Sequence, residues 1–464
     1  METFLDELAT HVGPDHVIRS HSGRAAYDTD ITGIVKAHVA AVVRPATTQD
    51  VARTLAAANR EGIAVVPQGG NTGLAGGCAA PDGQPAILLN LGRMARIRDI
   101  NTTARTATVD AGVILEHLND MLAPEGLTFP MSFGAKGSAQ IGGILSTNAG
   151  GSNAVRYGTA RANCLGIEVV TASGEVMDLM NALRKDNTGY DLRDLIIGAE
   201  GTLGIITGAV LRLAPIPPAY ATALVAMPTL GPALPILNAL QDATGGAVEA
   251  FEYLPQQYFD WMSDALPDLA QPLATPGPAN LMIEIAARDG EDDADVGATL
   301  ENILAGAMER GEITDATLAQ SVAQRRAIWA VREAAYEVSR SKGPVKEQDV
   351  SVPLDQVEAF LDKAGTIARG YVAEDQIFAV SHLGDGNVHF GIVADPLSPE
   401  ADAFSTDIEA LIAGMGGSIS AEHGIGILKR SSLARAKDPA ALATMRAIKD
   451  ALDPNGILNP GKVL

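Results

Sequence analysis

Cysteine is nearly absent. Cys78 and Cys164 are the only two in 464 residues, too few for a disulfide framework and without the C-x-x-C spacing of a redox or zinc motif. A reducing, cytoplasmic setting is the expectation. Positive charge is also scarce, with 34 Lys and Arg against 56 Asp and Glu and a formal net charge of -22. A surface rich in carboxylate repels phosphate, which argues against nucleic acid or an anionic membrane as the main partner. An acidic substrate would therefore need a local basic pocket. No stretch reaches about 18 uninterrupted apolar residues, so no transmembrane helix is expected. The first ten residues lack the basic flank and apolar run of a signal or transit peptide, and none is expected there. No repeat of fixed period and no low-complexity linker is found. Histidine is missing over a long interval: none lies between His117 and His382.

What is present is enough apolar residue, 47% of the chain, to bury a large core in two or three domains. An apolar run at Val39–Val43, a helical pattern opening at Thr47 and a second apolar run at Ile63–Val66 read as strand, helix and strand of an α/β layer. Glycine clusters recur at 69–77, 134–151 and 198–208, the last leading into a strand over Ile205–Leu213. The proline-rich stretch 214–218 is read as a break. Beyond it, apolar strands such as Leu281–Ile285 alternate with alanine-rich helical stretches, including Ser321–Arg340. A helix over Ala440–Leu452 is stopped by Asp453-Pro454-Asn455-Gly456. The domains predicted are 1–214, 219–415 and a C-terminal segment 416–464.

After the Ile63–Val66 strand comes Pro67-Gln68-Gly69-Gly70-Asn71-Thr72-Gly73, where glycine lets consecutive backbone N–H groups converge on an anion such as pyrophosphate. The spacing is not G-x-G-x-x-G, because position 71 is asparagine, which disfavours a Rossmann dinucleotide site. Gly456–Lys462 approaches a P-loop, but Val463 stands where the metal-binding hydroxyl is needed. Near the C-terminus two polar blocks, Ser381-His382-Leu383-Gly384-Asp385-Gly386-Asn387-Val388-His389 and Ser420-Ala421-Glu422-His423-Gly424, concentrate two imidazoles, a carboxylate and a spare imidazole. Such a set can make a divalent metal site with a general base beside it. Residues seven apart face opposite sides of a regular strand, but the Gly384-Asp385-Gly386 turn can bring both histidines onto one ion. Asp385 and Asn387 are read as loop formers. An isolated histidine pair is more often bonded to loop backbone; Glu422-His423 tips the balance towards metal, and neutral imidazoles with a carboxylate suit zinc.

The ordered string formed by Gly134-Ala135-Lys136-Gly137-Ser138 with Ile141-Gly142-Gly143, then Thr147-Asn148-Ala149-Gly150-Gly151, Arg184–Leu192 and Gly198-Ala199-Glu200-Gly201-Thr202-Leu203-Gly204-Ile205-Ile206 resembles the vanillyl-alcohol-oxidase-type flavoproteins. Within them it is most similar to the D-2-hydroxyglutarate dehydrogenases, with D-lactate dehydrogenases and the glycolate oxidase flavoprotein subunit as relatives. The resemblance runs from about residue 35 to the end of the chain. It implies an α+β fold: a two-part FAD-binding domain, a mixed α/β substrate or cap domain, and a C-terminal segment returning to the FAD domain. By motif, Pro67, Gly69, Gly70, Asn71, Thr72, Gly73, Gly137, Ser138, Gly142, Gly143, Asn148, Gly150, Gly151, Glu200, Gly204, Ile206 and Asn459 would surround a noncovalent FAD.

The same resemblance makes His382, His389 and Glu422 the metal ligands, His423 the catalytic base and Arg332 the clamp on a substrate carboxylate. It implies oxidation of a D-2-hydroxy acid to the 2-oxo acid, with hydride passing to the flavin. The chain departs from the branch in places. Tyr336 stands where hydroxyglutarate enzymes have threonine, Glu347 where they have a substrate-binding lysine, and Gly391 where they have asparagine. Lys346 is one place off, a slip that turns the ammonium to the other face of a strand, yet with Arg332 and Tyr336 it is kept as a candidate substrate-binding residue. The case for a second substrate carboxylate is thereby weakened, and a D-lactate or other monocarboxylate dehydrogenase is the alternative. A flavin electron-transfer subunit without substrate chemistry is the alternative of another class. Without a nicotinamide motif, the electron acceptor is expected to be an electron-transfer flavoprotein, a quinone or a cytochrome. A homodimer is compatible with the sequence.

Overall fold

The computed structural model describes residues 1–80 and 83–464, and the chain divides into two compact units. One comprises Met1–Ala149, Thr159–Ile216 and His423–Leu464; the other comprises Gly150–Gly158 and Pro217–Glu422.

The first unit opens with the anticipated α/β layer. Thr47 accepts the amide of Asp50 while the Asp50 carboxylate accepts that of Thr47, a reciprocal cap that starts the helix Thr48–Glu61. Gly62, at φ 66, ends it in the left-handed conformation that costs glycine nothing. The helix buries Val51, Leu55 and Ala58 with residues of the strands beneath it. Strands Ala41–Val43 and Ala64–Gln68 run parallel to Ala86–Asn90, which lies between them. A second layer is a five-stranded antiparallel sheet ordered Ile97–Asn101, Thr106–Asp110, Ile205–Arg212, Cys164–Val170, Val176–Leu179. Leu115, Leu118, Ile141 and Leu145 of two short helices share a core with it.

The end of the chain is stitched into the first layer. Val65 donates to the Ile457 carbonyl at 2.8 Å and accepts from the Asn459 amide at 2.9 Å. The buried Asp453 carboxylate accepts the amides of Ile457 and Leu458 and the Lys449 ammonium. The proline-rich stretch at 214–218, expected as a plain break, also forms a short antiparallel pair: Ala214–Pro215 lies against Leu127–Thr128, an edge position where proline's missing donor costs nothing. Gly426, at φ 50, packs so tightly that a Cβ would run into the Ala75 carbonyl. Gly426→Ala should therefore cost more than about 2 kcal/mol in unfolding free energy, from backbone strain and collision together. A denaturant titration of the variant checks this.

The second unit is built on a seven-stranded sheet in the order Asp315–Leu318, Tyr220–Met227, Ala279–Ala286, Val248–Pro255, Ile377–His382, Asn387–Val393, Val345–Ser351. Every neighbouring pair runs antiparallel. The expected helix over 321–340 forms as two pieces, Val322–Glu333 and Ala335–Arg340. Ile328, Val331 and Val338 from these pieces share a core with Tyr258, Phe259 and Trp261, and with Ala250, Leu254, Phe378 and Val380 of the sheet.

Candidate active site

The late histidines are positioned by a hairpin. His382 ends one strand, Asn387 begins the next, and the two are paired across the turn. Paired residues share a sheet face, and so do residues two apart on one strand. His389 therefore falls on the same face as His382, one step along the diagonal. Gly386, at φ 81, makes the turn, and its Cβ would strike the Val352 carbonyl. The imidazole rings stand 5.4 Å apart at 78° to each other.

Strand registers add carboxylates on either side. Tyr253 pairs with Ser381, which sets Glu252 abreast of His382, and Asp349 pairs with His389. Glu252 is fully buried and accepts from Arg332 Nε at 2.6 Å; its other oxygen lies 2.9 Å from His382 Nδ1. Glu347 lies 3.4 Å from His389 Nδ1. Glu422 Oε1 faces the opposite nitrogens, 3.7 Å from His382 Nε2 and 3.4 Å from His389 Nε2. Burial opposes charge on both rings, but the carboxylates prevail. His382 is pushed up to about 9, mainly by Glu252, and His389 to about 10, by Glu347 and Glu422. Against the same desolvation, His382 and Arg332 hold Glu252 below the usual carboxylate range.

The arrangement fits a small divalent ion. Ligand bonds of about 2.0–2.1 Å around a tetrahedral centre place donor atoms about 3.3 Å apart, close to the observed spacing of Glu422 Oε1 from the two Nε2 atoms. Each imidazole also has a carboxylate on its Nδ1 side, the outer-shell pattern typical of zinc-bound histidine. Asp349, His389 and Glu422 present ligand atoms within 4.8 Å of one another. Asp349 has further duties: it accepts the Asn387 side-chain amide at 2.9 Å and the Glu422 backbone amide at 3.1 Å, so it holds the turn and the Glu422 strand-end loop together. His423, half-buried, is the next residue in the chain after Glu422.

Arg332 is brought to this cluster, buried, with Nη2 3.3 Å from His382 Nδ1. Tyr336 is exposed and lies under the Arg340 guanidinium, 3.8 Å from its ring centre. Lys346 is not brought to the cluster. Its ammonium reaches Pro396 O at 3.2 Å and Asp402 at 3.3 Å, while Glu347 takes the histidine side of the strand. Sequence reasoning missed Glu252 and Asp349. The signal for Glu252 was a glutamate in the apolar strand Val248-Glu249-Ala250-Phe251-Glu252-Tyr253-Leu254, because a buried carboxylate survives only when paired.

The glycine loops of the first unit make a separate cradle. A Cβ at Gly70 would enter the Ser138 carbonyl, and one at Gly142 would lie 2.7 Å from Ala111 Cβ. Gly73 and Gly143 face open space. Asn71 and Asn148 both take positive φ; their side chains fasten Thr29 O and the Arg161 amide. Pro67 abuts Gly201, Gly204 abuts Val169, and Ile206 lies within the central strand of the antiparallel sheet. The Glu200 carboxylate accepts the amides of Ile425 and Gly426, both at 2.7 Å, and its carbonyl accepts from Asn459 at 2.8 Å. Burial pushes Glu200 upward. Asn459 Oδ1 and Gln140 Oε1, the latter beside Gly69, are buried acceptors without a hydrogen-bond partner among the described residues. Close backbone approach, small residues and orphaned acceptors fit a large polar group such as FAD. Of the proposed FAD neighbours, Gly150 and Gly151 belong to the second unit, where a Cβ on Gly150 would sit 3.1 Å from Glu422 Oε2; Thr72, Gly137 and Ser138 lie on the first unit's loops.

The two folds and the glycine cradle define a class, the flavin-dependent oxidoreductases. Residues 39–180 match a family described as FAD binding domain, and residues 216–463 match FAD linked oxidases, C-terminal domain. The chain belongs to the FAD-linked oxidases. A D-2-hydroxyglutarate dehydrogenase of Xanthomonas citri pv. viticola is 37% identical over 91% of this chain and 89% of its own. One of Stutzerimonas stutzeri is 34% identical over 99% and 98%, and the mitochondrial D-2-hydroxyglutarate dehydrogenase of Bos taurus is 35% identical over 99% and 83%. Among solved structures, p-cresol methylhydroxylase with substrate bound shares the fold at a TM-score of 0.76, with 18% identity over 100% of this chain and 96% of that one. The sequence-based resemblance to vanillyl-alcohol-oxidase-type flavoenzymes of the D-2-hydroxy acid branch is borne out. No helix among the described residues is long and apolar enough to cross a membrane.

Proposed function

We propose that this chain is an FAD- and zinc-dependent dehydrogenase of D-2-hydroxy acids, with D-2-hydroxyglutarate the first substrate to test. The observation that carries the proposal is the convergence of His382 Nε2 and His389 Nε2 on Glu422 Oε1, with Arg332 alongside. FAD supplies a hydride acceptor when bound, and a divalent ion supplies a Lewis acid that favours the alkoxide. The protein's own residues do the rest. Arg332 offers guanidinium N–H groups to the substrate carboxylate. His423 takes the hydroxyl proton at an imidazole nitrogen. His382, His389 and Glu422 hold the ion; the glycine cradle with Pro67, Glu200 and Asn459 holds the cofactor.

One observation favours the monocarboxylate reading as a second choice. The acid Glu347 lies 3.4 Å from His389 Nδ1, and Lys346 is engaged with Asp402. A distal substrate carboxylate brought beside Glu347 would meet like charge. A dye-coupled assay across D-2-hydroxyglutarate, D-malate, D-lactate and glycolate is expected to show turnover with at least one D-2-hydroxy acid, abolished by chelator and restored by zinc. No turnover with any of them would sink the assignment. Electrons would leave to an electron-transfer flavoprotein, a quinone or a cytochrome, in a cytoplasmic setting suited to two unpaired cysteines.

A further inference from the structure

We infer that Glu252 is a positioning residue that ties the metal ligand His382 and the carboxylate clamp Arg332 into one unit. The inference rests on the metal-site reading above and adds a residue that reading does not use. Glu252 lies on Val248–Pro255, the strand next to His382, with no exposed surface. One oxygen accepts from Arg332 Nε at 2.6 Å and also lies 2.8 Å from His382 Nδ1, and the other lies 2.9 Å from the same nitrogen.

Each bond settles something about its partner. With Nδ1–H donated to Glu252, the neutral, metal-binding form of His382 would carry its lone pair on Nε2, the nitrogen on the Glu422 side. With Nε spent on Glu252 and Nη2 3.3 Å from His382 Nδ1, the guanidinium of Arg332 is fixed in rotation against the imidazole it flanks. The carboxylate also compensates the buried Arg332 charge, which would otherwise be costly beside a metal cation. An apolar or amide side chain at 252 could not do all three. A second buried glutamate on the same strand, Glu249, bonds Arg156 at 2.5 Å and Tyr157 at 2.9 Å and touches neither residue, so it separates general stabilisation from positioning.

The test uses the FAD-loaded full chain and zinc as the probe, with affinity read by competition against a chromophoric chelator. Glu252→Gln is expected to weaken zinc binding about 10–100-fold and to raise KM for the hydroxy acid, while FAD content stays at the wild-type level. Glu252→Asp, which keeps the charge, should recover part of the zinc affinity and serves if the glutamine variant does not fold. Glu249→Gln should leave zinc affinity unchanged. Wild-type zinc affinity in folded Glu252→Gln, with His389→Ala still abolishing binding, would overturn this inference alone. Zinc binding indifferent to His389→Ala would remove the metal-site reading and this inference with it.

Discussion

Alanine at His423 is expected to leave a yellow, FAD-loaded protein with zinc bound and turnover reduced by about 10²–10⁴-fold, the usual cost of losing a general base. The expectation follows from how roles are divided among the late histidines. His382 and His389 each have one nitrogen beside a carboxylate and the other directed at Glu422, so the proposed site uses both to hold the cation. His423 comes next in the chain after Glu422 and takes the base role in the proposed function. The loss should fall on kcat, with KM little changed, because the carboxylate clamp and the ion are intact. The deficit should shrink as pH rises and solvent hydroxide replaces the missing base. Turnover within about threefold of wild type would take the base role from His423.

The residue types at the site were legible in the sequence; their partners were not. His382, His389, Glu422 and His423 stand out because polar, metal-competent side chains are crowded around glycine turns, a pattern that packing alone does not require. The turn at Gly384-Asp385-Gly386 was readable for the same reason, and the hairpin explains why histidines seven apart share a face. Glu252 and Asp349 were not readable, since their roles depend on strand registers with residues about 130 and 40 positions away, and long-range pairing leaves only a weak local trace. The first strand–helix–strand unit was legible down to the start of its helix at Thr47, because helix starts are written in local chemistry. The insertion of Ala86–Asn90 between the two flanking strands was not, as nothing local sets strand order. The one-place offset of Lys346 was readable from the two-residue period of a strand, but Lys346 was still expected at the substrate, whereas its ammonium is engaged with Asp402.

Glutamine at 422 should produce the larger change in metal content. Glu422 Oε1 lies 3.7 Å from His382 Nε2 and 3.4 Å from His389 Nε2, and in the proposed site it brings the negative charge that makes two imidazoles retain a dication. The amide has almost the same volume but one neutral acceptor oxygen, and its NH₂ group would repel the ion. Losing a direct ligand should cost more than the roughly 10–100-fold typical of an outer-shell partner, so Glu422→Gln is expected to purify with almost no zinc and almost no turnover. Its Asp349 contact runs through the backbone amide, which the substitution leaves in place, so the loop should keep its path. FAD content and the melting curve of the metal-free protein are expected to match those of chelator-treated wild type. Stoichiometric zinc in the purified variant would mean that the ion is held by Asp349 and the histidines without Glu422, and the ligand set would have to be redrawn around Asp349.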